Sequence, residues 1–254
     1  MSITSALVRA MGVSRSTLTA LARITPGQSP PYSAPTVSHN RRMHPTDALI
    51  NTLDSALRTL FAKPHASAPC ATLPEAPTTL SQPEREQAAG LMRVNHVGEI
   101  CAQALYTAQA LATRNPRLRA QYEAACAEEV DHLAWTAQRL DELGARPSLL
   151  NPLWYAGAFG LGLLAGRLGD TISLGFVVET ERQVGAHLQS HLGSGPDALP
   201  AGDHASRAIV AQMHSDELAH ARAAEDAGAV PLPPVVQELM RGAAKVMTNL
   251  ARRV

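Results

Sequence analysis

Aromatic residues are scarce in this sequence, at 4%, while Ala and Leu abound; that balance favours helices over strands. Charge is scarce too. Asp, Glu, Lys and Arg make up 17% of 254 residues, 22 basic against 22 acidic, for a formal net charge of zero. This excludes a nucleic-acid binder working through net positive charge, and a highly charged disordered chain. Cysteine is limited to Cys70, Cys101 and Cys126. An odd number with no C-x-x-C excludes a disulfide framework and points to a reducing compartment. No uninterrupted apolar run reaches about 18 residues, so there is no clear spanning helix. Residues 1–46 contain no Asp or Glu, yet carry Arg9, Arg15, Arg23, Arg41 and Arg42 among Ser, Thr and Pro. Such a stretch suits an organellar transit peptide, an unstructured extension, or a start placed too early with Met43 as the true first residue.

At this length one domain plus tails is expected. Residues 1–42 form the extension or misassigned start. Residues 43–80 hold a short amphipathic helix (44–62) and a proline-rich linker. Residues 81–254 form the domain. There, Ser81 caps a long helix that stops near Asn115-Pro116, and a second runs from about 117 to 143. Residues 152–168 are apolar on all sides and glycine-rich. Helices follow over 170–192, from the 193–203 loop to about Ala227, and after Pro234. Nothing reads as a hairpin or an alternating strand, so the class is all-α.

Two stretches carry the chemistry. "CAEEVDHLAW" sets Glu129 and His132 three apart, and "HSDELAHARA" does the same with Glu217 and His220. Residues three apart lie about 60° apart on a helix, so each pair can share a target. One Glu-x-x-His is most often a solvated face; two in one chain ask for a joint explanation. A two-metal carboxylate site in a four-helix bundle needs a Glu from each of two helices and a Glu-x-x-His from each of the other two. Glu99 lies about 16 residues before the Asn115-Pro116 turn and Glu129 about 13 after it, depths that differ by about 5 Å at the helical rise. In the second half "VVETERQ" offers Glu179 or Glu181, which face about 160° apart. Glu181 stands about 12 residues before the 193–202 loop, with Glu217 about 14 beyond it. The chain therefore reads as a duplicated two-helix unit. Four carboxylates and two imidazoles offer hard oxygen and borderline nitrogen donors, and four negative charges nearly balance two divalent cations. Two iron ions are expected, since this set with open positions suits O₂ activation; manganese stays open as the alternative. Glu128 and Asp216 precede the two motifs, and a metal-bound His usually donates its other ring N–H to a carboxylate. Asp216 is expected to orient His132, and Glu128 to orient His220, across the bundle. Cys101 and Cys126 are expected to be small core residues.

The chain resembles a known family at "RVNHVGE" (93–99), the two Glu-x-x-His motifs, "VVETERQVGAHL" (177–188) and "ELAHARAAEDAGA". These look like the bacterial-type demethoxyubiquinone hydroxylases, ferritin-like di-iron monooxygenases of ubiquinone biosynthesis. The resemblance covers about 82–254. It implies Glu99, Glu129, His132, Glu181, Glu217 and His220 as metal ligands and prefers Glu181 over Glu179. It implies O₂-dependent hydroxylation of a polyprenyl quinol, an electron donor (NADH or a reductase), a homo-oligomer or a ubiquinone-biosynthesis complex, and peripheral attachment to the inner face of the bacterial cell membrane. A transit peptide would instead imply the mitochondrial inner membrane. His187 is a candidate relay that flanks the site. For the 152–168 helix, Trp154, Tyr155, Leu163 and Leu164 are expected at the lipid or substrate tail, with a buried core helix as the alternative. Iron storage and peroxide reduction are rivals sharing the ligands, although peroxide-reducing relatives normally carry a C-x-x-C module absent here.

Overall fold

Ser81 opens the first long helix of the domain. Its backbone N–H donates to Glu84 Oε2 at 2.9 Å, and its side chain answers the N3 backbone, so two otherwise unpaired donors of the first turn are satisfied. Asn115 performs the same service for the next helix, accepting from the N–H of Arg117 at 3.0 Å and Leu118 at 3.4 Å, with Pro116 at the first helical position. In the computed structural model, which describes residues 45–70 and 79–254, the helices are α1 (Pro45–Phe61), α2 (Gln82–Ala112), α3 (Pro116–Glu142), α4 (Asn151–Arg167), α5 (Asp170–Leu192), α6 (His204–Asp226) and α7 (Pro234–Ala251). No strand occurs among the described residues. The expected extension at 1–42 and the middle of the proline-rich linker lie outside them.

The hairpins α2–α3 and α5–α6 form a ferritin-like four-helix bundle. A buried clasp fixes how they meet. Arg139, near the end of α3, donates to Asp203 Oδ1 and to Ser206 Oγ, each at 2.9 Å, while Asp203 caps α6 by accepting from the N–H of Ser206. Removing Arg139 would leave the buried Asp203 without its counter-ion, a change that costs about 3–5 kcal/mol.

The bundle interior is layered. At one end Met92, Leu140, Leu188 and Met213 pack together; at the other, Tyr106, Tyr122, Leu174 and Val177 do. Each of the four helices places its key Glu between these apolar layers, so the middle of the core is polar and sealed at both ends.

α4 does not join the four-helix bundle. It lies along α2, and its glycines explain the close seating. A Cβ on Gly162 would stand 2.8 Å from the Leu105 carbonyl oxygen, and one on Gly166 2.5 Å from the Ala112 Cβ. Both are closer than real side chains approach, so only glycine permits this fit. The opposite face of α4 leaves Leu153, Leu161 and Leu164 exposed.

Candidate metal centre

Glu99, Glu129, Glu181 and Glu217 are all buried, as is His132, and His220 is nearly so. One ligand atom from each of Glu99, Glu129, His132 and Glu217 lies within 4.8 Å of all the others. The same holds for Glu129, Glu181, Glu217 and His220. Glu129 and Glu217 belong to both groups. The arrangement is two adjacent donor sets, each closed by one histidine and one private Glu, with two shared carboxylates between them.

The distances bear this out locally. His132 Nδ1 lies 3.1 Å from Glu129 and 3.6 Å from both Glu99 and Glu217. His220 Nδ1 lies 3.2 Å from Glu129 and 3.4 Å from Glu217. Both imidazoles turn the same nitrogen inward. Their outer nitrogens meet acids from the opposite hairpin: His132 Nε2 is 3.1 Å from Asp216, and His220 Nε2 is 2.9 Å from Glu128. Each acid thus sits beside the histidine of the other motif, which ties α3 to α6. Glu179, the rival of Glu181, lies outside both groups and accepts from Gln183 at 2.6 Å.

Electrostatics shows what the cluster lacks. Among the described residues no Lys or Arg makes an ion pair with these four carboxylates. Burial pushes Glu99 and Glu181 well above the usual carboxylate range; neighbouring glutamates push the same way. Burial opposes charge on Glu129 too, but the adjacent His132 and His220 imidazoles outweigh it and hold that carboxyl low. Burial likewise disfavours charge on His220, yet its glutamate partners push it up to about 12. His132 is raised as well, Asp216 being its strongest partner. Without metal, these environments favour protons on the two imidazoles and on Glu99 and Glu181. Oxygens of Glu99, Glu129 and Glu217 and the inner nitrogen of His220 have no hydrogen-bond partner. Buried polar atoms are rarely left so. Two divalent cations would use those atoms and neutralise four carboxylates, so the residues present fit a two-metal centre.

The other expected residues are placed differently. His187 stacks edge-on to His191 with ring centroids 4.3 Å apart, and neither donor group includes it. Burial, aided by His187, pulls His191 down to about 3. Tyr155 is a correction to the outward-facing reading: it is buried against Ile100, Ala104 and Leu133. Trp154 is half-buried against the cluster of Val94, Val97 and Ala251. Leu163 is half-buried, and of the four only Leu164 stands well exposed, at 58%. The small-residue stripe of α4 draws the N-terminal aromatics inward with it. Cys101 and Cys126 are free, half-buried thiols, and burial pushes them up to about 12 and about 11.

Tyr106 went unnoticed in the sequence. It donates to Glu181 at 2.6 Å and faces the His220 ring edge-on at 6.2 Å. Its position seven residues after Glu99, on the same face of α2, is the signal that marks it.

Residues 86–251 match the family model described as "Ubiquinone biosynthesis protein COQ7". The chain is similar to a protein named 3-demethoxyubiquinol 3-hydroxylase from Albidiferax ferrireducens, 67% identical over 208 residues, which is 82% of this chain and 97% of that one. It is similar to proteins of the same name from Polaromonas naphthalenivorans (66% over 208 residues, 82% and 98% covered) and Methylibium petroleiphilum (60% over 215 residues, 84% and 100% covered).

Proposed function

The chain belongs to the COQ7 family of ubiquinone biosynthesis proteins, and from that membership we propose that it is a 3-demethoxyubiquinol 3-hydroxylase. Its substrate is the 2-polyprenyl-3-methyl-6-methoxy-1,4-benzoquinol ring, its co-substrate O₂, and its product the ring with one added hydroxyl. The carrying observation is the pair of donor sets that share Glu129 and Glu217. Glu99, Glu129, His132 and Glu217 would hold one iron; Glu129, Glu181, Glu217 and His220 would hold the other. Iron so bound supplies the O₂ activation that protein side chains lack. Two electrons come from NADH or a reductase.

The chain's own residues do the rest. Asp216 and Glu128 fix the tautomer and ring plane of the two histidines by accepting from their outer N–H groups. Tyr106 holds Glu181 in one orientation. The apolar layers above and below keep water out of the centre, which strengthens every electrostatic contact inside.

Quinone profiling of a strain lacking the protein tests this reading. The strain should accumulate demethoxyubiquinone and lose ubiquinone, and the wild-type gene should restore it. An unchanged quinone pool would point to iron storage or peroxide reduction instead.

No helix among the described residues is long and apolar enough to cross a membrane. The lipid-borne substrate and the exposed leucines of α4 support peripheral attachment at the inner face of the cell membrane. Leu164→Lys should weaken flotation with liposomes while leaving iron content intact, because a charge costs several kcal/mol in hydrocarbon and this side chain has no core to disrupt. Unchanged flotation would remove α4 from the membrane contact.

A further inference from the structure

A cavity of about 740 Å³ lies between α1 and the α2–α3 hairpin. That is the size of a small-molecule site. Its mouth is charged and wet, edged by Asp54, Arg58, Lys63, Arg119 and Glu123. Its floor is different: Gln103, Tyr106, Cys126 and Leu133, with no Lys, Arg, Asp or Glu among them. An uncharged ligand suits that floor.

The floor and the carboxylate cluster share α2, and Tyr106 stands between them. Glu99, Gln103 and Tyr106 follow one face of α2 at spacings of four and three. Gln103 is therefore about 6 Å along the helix axis from Glu99. Tyr106 lines the cavity with one side and donates to Glu181 with its hydroxyl. A ring resting on this floor would be separated from Glu181 by the Tyr106 side chain.

Gln103 itself asks for a ligand. It is 3% exposed, and its Oε1 accepts the Thr59 hydroxyl at 2.6 Å. Its Nε2 has no partner. A buried amide donor without an acceptor is unusual in a folded protein. The quinol ring carries hydroxyl and methoxy oxygens, which are the acceptors this group lacks.

The outer wall of the cavity is α1, and it is fastened from inside. Thr59 bonds Gln103, Ser55 approaches Thr107 at 3.4 Å, and Ala56 and Leu60 pack against the cluster that holds Ile100, Leu133 and Tyr155. The segment after α1 is strapped to α3, where Ser67 donates twice to Asp131 and Trp135 donates to the Ala68 carbonyl. α1 lies before residues 86–251, the part matched by the family model.

We propose that this cavity binds the benzoquinol ring, with Gln103 Nε2 donating to a ring oxygen and α1 serving as the outer wall of the site. This rests on the hydroxylase reading and adds where the ring sits. It makes α1 a wall of the substrate site as well as a packing element.

The test is anaerobic calorimetric titration of the full-length, metal-loaded protein with a single-isoprene analogue of demethoxyubiquinol, with iron content measured on each sample. Gln103→Leu should raise Kd about tenfold, the usual cost of one neutral hydrogen bond. Ser55→Trp, which fills the cavity from the α1 side, should raise Kd by at least as much. Iron content should stay at the wild-type level in both. If the wild type binds and both variants bind equally tightly, the ring sits elsewhere and the proposal is overturned, while the hydroxylase reading stands. Should Gln103→Leu lose iron, Ser55→Trp decides, since Ser55 stands on α1, which supplies no residue of the cluster. A wild type that neither binds the analogue nor supports ubiquinone synthesis in the strain test removes the hydroxylase reading and this proposal with it.

Discussion

The two hairpins repeat one motif in two different surroundings. In α2–α3 the histidine is sealed: His132 lies under the Trp135 ring at 5.3 Å, and its partner Asp216 has a side chain only 32% exposed. In α5–α6 the histidine is reachable: the side chain of Glu128, partner of His220, is 66% exposed, and a cavity of about 150 Å³ lies beside them, lined also by Tyr106 and Tyr122. The private carboxylates differ as well. Glu181 is held by the Tyr106 hydroxyl, while an oxygen of Glu99 has no partner. A duplicated ligand set therefore need not give equivalent metal positions, because surroundings decide how firmly each ligand is held.

The widest break in this comparison comes from the residues that belong to neither half alone. Glu129→Ala and Glu217→Ala should each empty both positions and reduce hydroxylation below detection. Metal analysis and turnover check this; two irons and full activity in either variant would end the shared-carboxylate assignment.

The paired acids sharpen the contrast. Asp216→Asn should weaken metal binding at the His132 position by about 10- to 100-fold, the range seen when a ligand histidine loses its orienting partner. Glu128→Gln should cost several-fold less, because water can replace an exposed acceptor. Competition with a chelator, followed metal by metal, gives the ranking. Equal effects would mean that the two positions are alike after all.

Metal loading should also release protons. The cluster raises both imidazoles, His220 to about 12, so at neutral pH the metal-free protein holds them charged. A ligand histidine must be neutral, so each must give up a proton on binding, and apparent affinity should rise with pH. Calorimetry in buffers of different ionisation enthalpy counts those protons. In the metal-free protein the sign is the reverse. The stability that a raised imidazole contributes is complete below pH 6.5 and is lost as pH climbs towards 12.

The smallest effect is expected from Tyr106→Phe. It removes one hydrogen bond from Glu181 and leaves the aromatic packing against Tyr122, so the His220 position should weaken a few-fold and the His132 position not at all. Equal loss at both positions would show that Tyr106 supports the bundle rather than one half.

Much of the domain was legible before any coordinates. Ser81, Asn115-Pro116 and Pro234 punctuate the helices by local chemistry that needs no tertiary context. Glu99, Glu129, His132, Glu217 and His220 share their spacing with a repeated unit, and repetition is a sequence-level signal. Tyr155 was misread because residues 152–168 are apolar on every side. Hydrophobicity there does not say which face is buried; the clashes that Gly162 and Gly166 avoid do. Gln103 and Thr59 were invisible for a different reason. They are 44 residues apart, and neither matches a motif.

Sequence by itself determined the helices, their order and the depth of each Glu and His of the cluster, because propensity, caps and rise per residue act within a few turns. Only the tertiary structure decided which acid meets which histidine, which carboxylates are shared, that α4 turns its aromatic end inward, and that α1 closes a cavity over Gln103. Those outcomes depend on burial and on distances between segments far apart in the chain, and no local rule carries that information.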